Sequence, residues 1–134
     1  QELAAVASGG EIARVMLSIK SLIADVRTIP TVIFDEIDTG VSGAAAEKMA
    51  LLMKRMSTND RQVLAITHLP QIAAMGQIHY KIYKIDEDNA TRTRILLLEE
   101  DERIREIASM MSGSRLTQAA LDNAKALTEQ WKMK

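Results

Sequence analysis

Asp35 and Glu36 stand side by side at the end of a short apolar run, Thr31-Val32-Ile33-Phe34. Pro30 precedes the run, and Gly40, Ser42 and Gly43 follow it. A continuous apolar run bounded by breakers reads as a strand buried on both faces of a sheet. Two carboxylates at its carboxyl end would sit in the crevice where open α/β sheets take their ligands. The same pair also suits a plain lead into a following helix. A second apolar run, Val63-Leu64-Ala65-Ile66-Thr67, ends at His68, where an imidazole could meet a ligand in the same crevice. Upstream, Ser8-Gly9-Gly10-Glu11 opens a helix. Two glycines let backbone N–H groups approach an anion closely, and the helix start adds partial positive charge. The same four residues also spell an ordinary capping box, which requires neither glycine.

The elements that must position these groups follow from periodicity. Ile12, Val15, Met16, Ile19, Leu22, Ile23 and Val26 recur at three- and four-residue steps, one apolar stripe of a helix over about 10–27. The strand at 31–36 comes next, then a loop, then a helix over about 43–57 with Met49, Leu52, Met53 and Met56 on one face. Asn59-Asp60 forms a turn before the second strand. Strand, helix and strand in that order predict a right-handed parallel crossover. Pro70 opens a short helix that Gly76 stops. Residues 78–85 and 91–98 read as a hairpin across Asp86-Glu87-Asp88-Asn89, with Ile78, Tyr80 and Ile82 alternating as on a half-buried strand. Two helices finish the chain, one over about 100–111 that ends near Gly113. The other is N-capped by Thr117 and stapled by Leu116 and Leu121.

Bulk composition narrows the function classes. With 134 residues, 47% hydrophobic and 26% charged, the chain has an ordinary soluble composition and material for one modest core. A net charge of −1 provides no global field for nucleic acid or anionic membrane. The absence of cysteine excludes disulfides and thiolate metal sites, and is compatible with the cytoplasm. No stretch approaches the roughly 18–20 apolar residues of a membrane span. One Trp, one Phe and two Tyr against eight Met leave an aliphatic core and little for base stacking. The abrupt start at a glycine-rich turn, without an initiator Met, leads us to expect a piece of something longer.

Taken together, these stretches resemble a known family. Ala7-Ser8-Gly9-Gly10-Glu11 (7–11) resembles the signature motif of ABC-type ATPases, and Val32-Ile33-Phe34-Asp35-Glu36, in the run 31–36, their Walker B strand. Asp38-Thr39-Gly40-Val41-Ser42-Gly43 (38–43) occupies the D-loop position and Thr67-His68 the H-loop. More narrowly, "VASGGE", "FDEIDTGVSG" and "THLPQIA" resemble the bacterial RecN family of double-strand-break repair proteins, relatives of the SMC proteins, and the similarity covers essentially the whole chain. The implied fold is α/β, the C-terminal half of an ABC-type ATPase head: a parallel βαβ core, a β-hairpin and two terminal helices.

The resemblance also implies roles. Asp35 would hold Mg²⁺ through water, Glu36 would polarise the attacking water, and His68 would reach the γ-phosphate of ATP. Ser8, Gly9, Gly10 and Glu11, with Gly40 and Ser42, would contact nucleotide, the signature residues reaching the one held by a second head. Ser42 stands where transporter-type ATPases carry Asp, and it also suits an N-cap. The loop G-x-x-x-x-G-K-[ST] occurs nowhere in the sequence. The resemblance therefore implies as partners an N-terminal half of the same protein carrying that loop, a second head in a homodimer, and DNA. No membrane is implied, and the setting is cytoplasmic and nucleoid-associated. The chain alone is expected to be inactive. Another SMC-type or transporter ATPase head, or a non-catalytic dimerisation module, are the competing assignments. Arg92, Arg94, Lys81 and Lys84 form a basic strip or a solvated face, and His79 is expected at the surface.

Overall fold

The computed structural model describes residues 9–26, 29–36, 38–41, 43–58, 60–87, 90–113 and 115–133. They form nine elements: α1 (Gly9–Val26), β1 (Thr31–Asp35), α2 (Gly43–Met56), β2 (Gln62–Ile66), α3 (Pro70–Met75), β3 (Tyr80–Glu87), β4 (Ala90–Leu97), α4 (Glu100–Ser112) and α5 (Gln118–Met133). The chain divides into two compact units, Gln1–Met75 and Gly76–Lys134. No helix among the described residues is long and apolar enough to cross a membrane.

In the first unit β1 and β2 pair in parallel, Thr31 opposite Gln62 through to Asp35 opposite Ile66, with α2 as the crossover. Val32 and Phe34 point into the core with Met49, Ala50 and Met53 of α2 and Ile72 of α3. A two-residue side-chain period and a helical one meet there, which is why these positions are apolar. Arg61 braces the entry to both strands. Its Nη2 donates to the Ala24 carbonyl near the end of α1 at 2.7 Å, and its Nε to the Ile29 carbonyl at 3.1 Å. Carbonyls in the last turn of a helix lack intrahelical donors, and a guanidinium supplies two in a fixed fork.

Two expectations change here. The strand at 31–36 is covered on one face only: Thr31, Ile33 and Asp35 are exposed, Ile33 at 54%. The predicted stripe of α1 also does not face this core. Ile12, Val15, Met16, Ile19, Leu22 and Ile23 are all exposed, whereas Leu17 and Ala24 are buried. At 100° per residue those two groups lie on nearly opposite sides of the helix. Small and amphipathic residues therefore suffice against the sheet: Lys20 lays its stem there, its Nζ 5.3 Å from the Phe34 ring centroid.

In the second unit β3 and β4 pair antiparallel from Tyr80 opposite Leu97 to Glu87 opposite Ala90. The strands thus run closer to the turn than the sequence suggests. The alternating set Ile78, Tyr80 and Ile82 is exposed rather than half-buried, together with Ile95 and Leu97 opposite. Register also breaks up the basic strip. Lys84 lies on the face opposite Lys81, Arg92 and Arg94, and these three pair with acids: Lys81 with Glu106, Arg92 and Arg94 with Glu87. A solvated, charge-balanced face accounts for them. His79, expected at the surface, is half-buried with its Nδ1 enclosed. Burial, then the Arg103 guanidinium, hold its imidazole below the usual range.

Helices α4 and α5 pack on each other through Ile107, Ala108, Ala120, Ala124 and Trp131. Glu102 reaches back to the Glu99 N–H at 2.9 Å to start α4, and Gly113, at φ 71°, ends it. Thr117 caps α5 as the sequence predicts, its Oγ1 accepting the Ala120 N–H at 3.1 Å.

Two predictions follow from these surfaces. A continuous apolar stripe in water drives association, so the chain by itself is expected to self-associate, and Ile19→Glu to shift it toward monomer in sedimentation velocity. An unchanged mass distribution would show that the stripe takes no part. Between α4 and α5, Lys132 Nζ donates to Glu100 Oε1 at 2.6 Å and holds that carboxyl below its usual 4.5. A lowered carboxylate contributes stability above its unfolded pKa, and the contribution disappears as pH falls through the folded value. Lys132→Gln is therefore expected to cost less than about 1 kcal/mol at pH 7, because both groups are exposed. In urea titrations the difference from the parent should shrink as pH falls through the titration range of that carboxyl, and a difference that stays constant as pH falls would refute the pairing.

Candidate functional site

Parallel pairing determines the site. Because Asp35 lies opposite Ile66, the residues after each strand emerge at one rim of the sheet. The ladder runs one bond further, the Glu36 N–H donating to the Ile66 carbonyl at 3.3 Å. Glu36 itself sits at φ 50°, in the left-handed region that side-chain-bearing residues seldom adopt. Such strain costs on the order of 1–3 kcal/mol and gathers where a side chain must be aimed. Thr39 helps hold it, its hydroxyl donating to the Glu36 carbonyl at 3.1 Å. Asp35 and Glu36 both face solvent, and His68 is 70% exposed just beyond β2.

Beneath them lies a residue whose side chain the sequence reading did not single out. Asp38 is 1% exposed. Its Oδ2 accepts the Thr67 hydroxyl in a short hydrogen bond and the His68 backbone N–H at 3.1 Å. Its Oδ1 lies 3.3 Å from His68 Nδ1 and has no hydrogen-bond partner among the described residues. Thr67 in turn accepts the Leu69 N–H at 3.0 Å, so one hydroxyl bridges the carboxylate and the start of α3. A buried carboxylate must be met by donors, and here the loop after β1 is tied to the loop after β2. In the sequence Asp38 opens the loop read as a D-loop, but nothing there marks its side chain as buried.

The glycines of the opening motif have a further explanation. A Cβ on Gly10 would stand 2.7 Å from the Gly40 carbonyl oxygen and 3.6 Å from Val41 Cγ2. Gly10 thus permits the start of α1 to lie against the 38–41 turn, where Gly40 takes φ 73°. Gly9 and Glu11 fall in the first turn of α1. Ser8 and Ser42 lie outside the described residues, and their expected contacts with nucleotide are not addressed by this geometry. The structure therefore joins Asp35, Glu36, Asp38, Gly40, Gly10, Thr67 and His68 around one rim. No group of three or more His, Cys, Asp or Glu that could hold a metal ion occurs among the described residues. A single exposed carboxylate suits an ion that keeps most of its water and shares the rest with phosphate oxygens, as Mg²⁺ does.

No family model matches the chain. Curated relatives do: DNA repair protein RecN of Haemophilus influenzae, 41% identical over 129 residues, and of Bacillus subtilis, 44% identical over 130. The RecN of Deinococcus radiodurans is 48% identical over 125 residues. These matches take in 96%, 97% and 93% of the chain but only 23%, 22% and 22% of the relatives, so the chain spans less than a quarter of their length. Among solved structures, one described as "Structural biochemistry of ATP-driven dimerization and DNA stimulated activation of SMC ATPases" matches with a TM-score of 0.62. It is 22% identical, covering 81% of this chain and 65% of that one, a likeness of fold.

Gly10→Ala tests the contact between α1 and the turn. The added methyl must displace a backbone carbonyl, and overpacking of this kind costs about 1–3 kcal/mol. A urea midpoint equal to the parent's would show that the two segments part freely.

Proposed function

Since the chain belongs to the RecN family, as a segment from its C-terminal part, we propose that it supplies the Walker B, D-loop and H-loop side of an ATP-hydrolysing head used in DNA repair. The observation that carries this reading is the shared rim of β1 and β2, which brings Asp35 and Glu36 together with His68. Asp35 is the residue suited to hold Mg²⁺, which when bound neutralises charge on the phosphate oxygens. Glu36, exposed and aimed by its strained backbone, orients a water and takes its proton as the oxygen attacks the γ-phosphorus, whose bond to the β–γ bridging oxygen breaks to release ADP and phosphate. His68 directs an imidazole N–H to that phosphate. Phosphoryl transfer chiefly demands positioning and charge stabilisation, so these few groups suffice on one wall.

The opposite wall comes from elsewhere in the proposal. An N-terminal half carrying the glycine-lysine loop holds the phosphates. Gly9, Gly10 and Glu11, with Ser8, face the nucleotide of a second head, and Gly40 and Ser42 line the seam between the heads. ATP-driven engagement of two heads then couples turnover to DNA in the cytoplasm, at the nucleoid. The exposed apolar face of α1 and the open side of the sheet agree with a head completed by further protein.

The deciding experiment is Glu36→Gln in the full-length protein. Removing a general base costs about a hundredfold or more in turnover, and ATP-bound heads should accumulate as engaged dimers in crosslinking. Unchanged turnover would sink the catalytic reading and leave a non-catalytic dimerisation module. This chain alone is expected to show no measurable ATPase activity and only weak ATP binding in calorimetry.

A further inference from the structure

We propose that Asp38 is a positioning residue for His68, acting through the imidazole Nδ1 and the 67–69 turn. The proposal rests on the reading of His68 as the phosphate-facing group and adds a residue to it.

Three observations carry the argument. First, the Asp38 side chain does not serve its own turn. The local turn bond is made by the main chain, Val41 N–H to the Asp38 carbonyl at 3.0 Å, while the carboxylate reaches across 29 and 30 residues of sequence to Thr67 and His68. Second, a carboxylate that is 1% exposed is a poor choice for simple packing. An apolar or amide side chain would fill the space without the desolvation a charge incurs. Third, Oδ1 is enclosed, lacks a hydrogen bond among the described residues, and lies 3.3 Å from His68 Nδ1, whose ring is otherwise in solvent. A small rotation of the imidazole brings Nδ1–H into line with that oxygen. With Nδ1–H held inward by Asp38, it is the imidazolium form that keeps a second N–H, on Nε2, to present to the nucleotide, and the carboxylate balances its charge. Carboxylates fix imidazole orientation in this way in many sites. Here the acid also sits between β1 and α2, so a shift of that loop reaches His68.

Asp38→Asn in the full-length protein tests this. The amide keeps the volume and can still accept from Thr67 and the His68 N–H, but it turns an NH₂ group toward Nδ1 and removes the acceptor there. Turnover (kcat) is expected to fall roughly tenfold to a hundredfold, the range for loss of an orienting partner. KM for ATP should stay within about threefold, because an interaction felt mainly in the transition state changes kcat. Asp38→Asn combined with His68→Ala should be no slower than His68→Ala alone, as expected of residues acting as one unit. Should Asp38→Asn fail to fold, Thr67→Val removes one donor from Oδ2 and should lower kcat in the same direction at unchanged KM.

Three results overturn the proposal. One is an Asp38→Asn enzyme within twofold of the parent in kcat while His68→Ala is impaired. Another is losses that multiply in the double variant. The last is a Thr67→Val enzyme equal to the parent when Asp38→Asn does not fold. A His68→Ala enzyme with full turnover removes the underlying reading instead, and separates the two failures.

Discussion

The buried Asp38 carboxylate bonded to Thr67 and His68 is the constraint on which the rim depends. A charge taken out of water persists only where donors stand ready at hydrogen-bond distance. Those donors lie at the end of β2, while the acid lies in the loop after β1. The arrangement therefore exists only if the two strands run parallel and in the observed register, with Asp35 opposite Ile66. A slip of one residue would turn Val32 and Phe34 out of the core and carry the Thr67 hydroxyl away from Asp38. Hydrophobic packing and polar satisfaction thus select the same pairing, and the exposed carboxylates inherit their placement from it.

Around this lock the backbone restricts which residues fit. Glu36 takes a left-handed φ, Gly40 another, and Gly10 leaves room for a carbonyl at 2.7 Å from where a Cβ would stand. Glycine meets the last two demands without penalty, whereas Glu36 is held by its neighbours, its N–H donating to the Ile66 carbonyl and the Thr39 hydroxyl donating to its own carbonyl. A glycine at position 36 would relax the chain there but remove the carboxylate. Asp60 takes a similar left-handed φ in the turn before β2, so such backbone occurs in this chain both at the rim and away from it.

The apolar surface has a complementary logic. Ile12, Val15, Met16 and Ile19 lie along the outer side of α1, and Ile33, Leu64 and Ile66 are exposed on the sheet. At about 25 cal/mol per Å², apolar area of this extent represents several kcal/mol not collected within the described residues. The hairpin repeats the pattern, with Tyr80, Ile82, Ile95 and Leu97 on one face and charge pairs on the other. Periodicity reports that a face is apolar; it carries no information on what covers that face.

That limit separates what was legible in the sequence from what was not. The parallel βαβ order, the hairpin, the Thr117 cap and the adjacency of Asp35, Glu36 and His68 could all be read, because each rests on local propensity, spacing or a short motif. The helix and strand ends differ by a residue or two, since fraying and capping are decided by neighbours. The burial of Asp38, the enclosure of His79 and the outward turn of the α1 stripe could not be read. Each depends on contacts between residues far apart in the chain, and a one-dimensional pattern holds residue types but not partners. By itself the sequence determined which acidic and imidazole groups stand at the strand ends and the order in which they arrive. Only the tertiary structure decided that a buried acid in one loop accepts the Thr67 hydroxyl and the His68 backbone N–H of another, because those bonds exist where two strand ends meet in space.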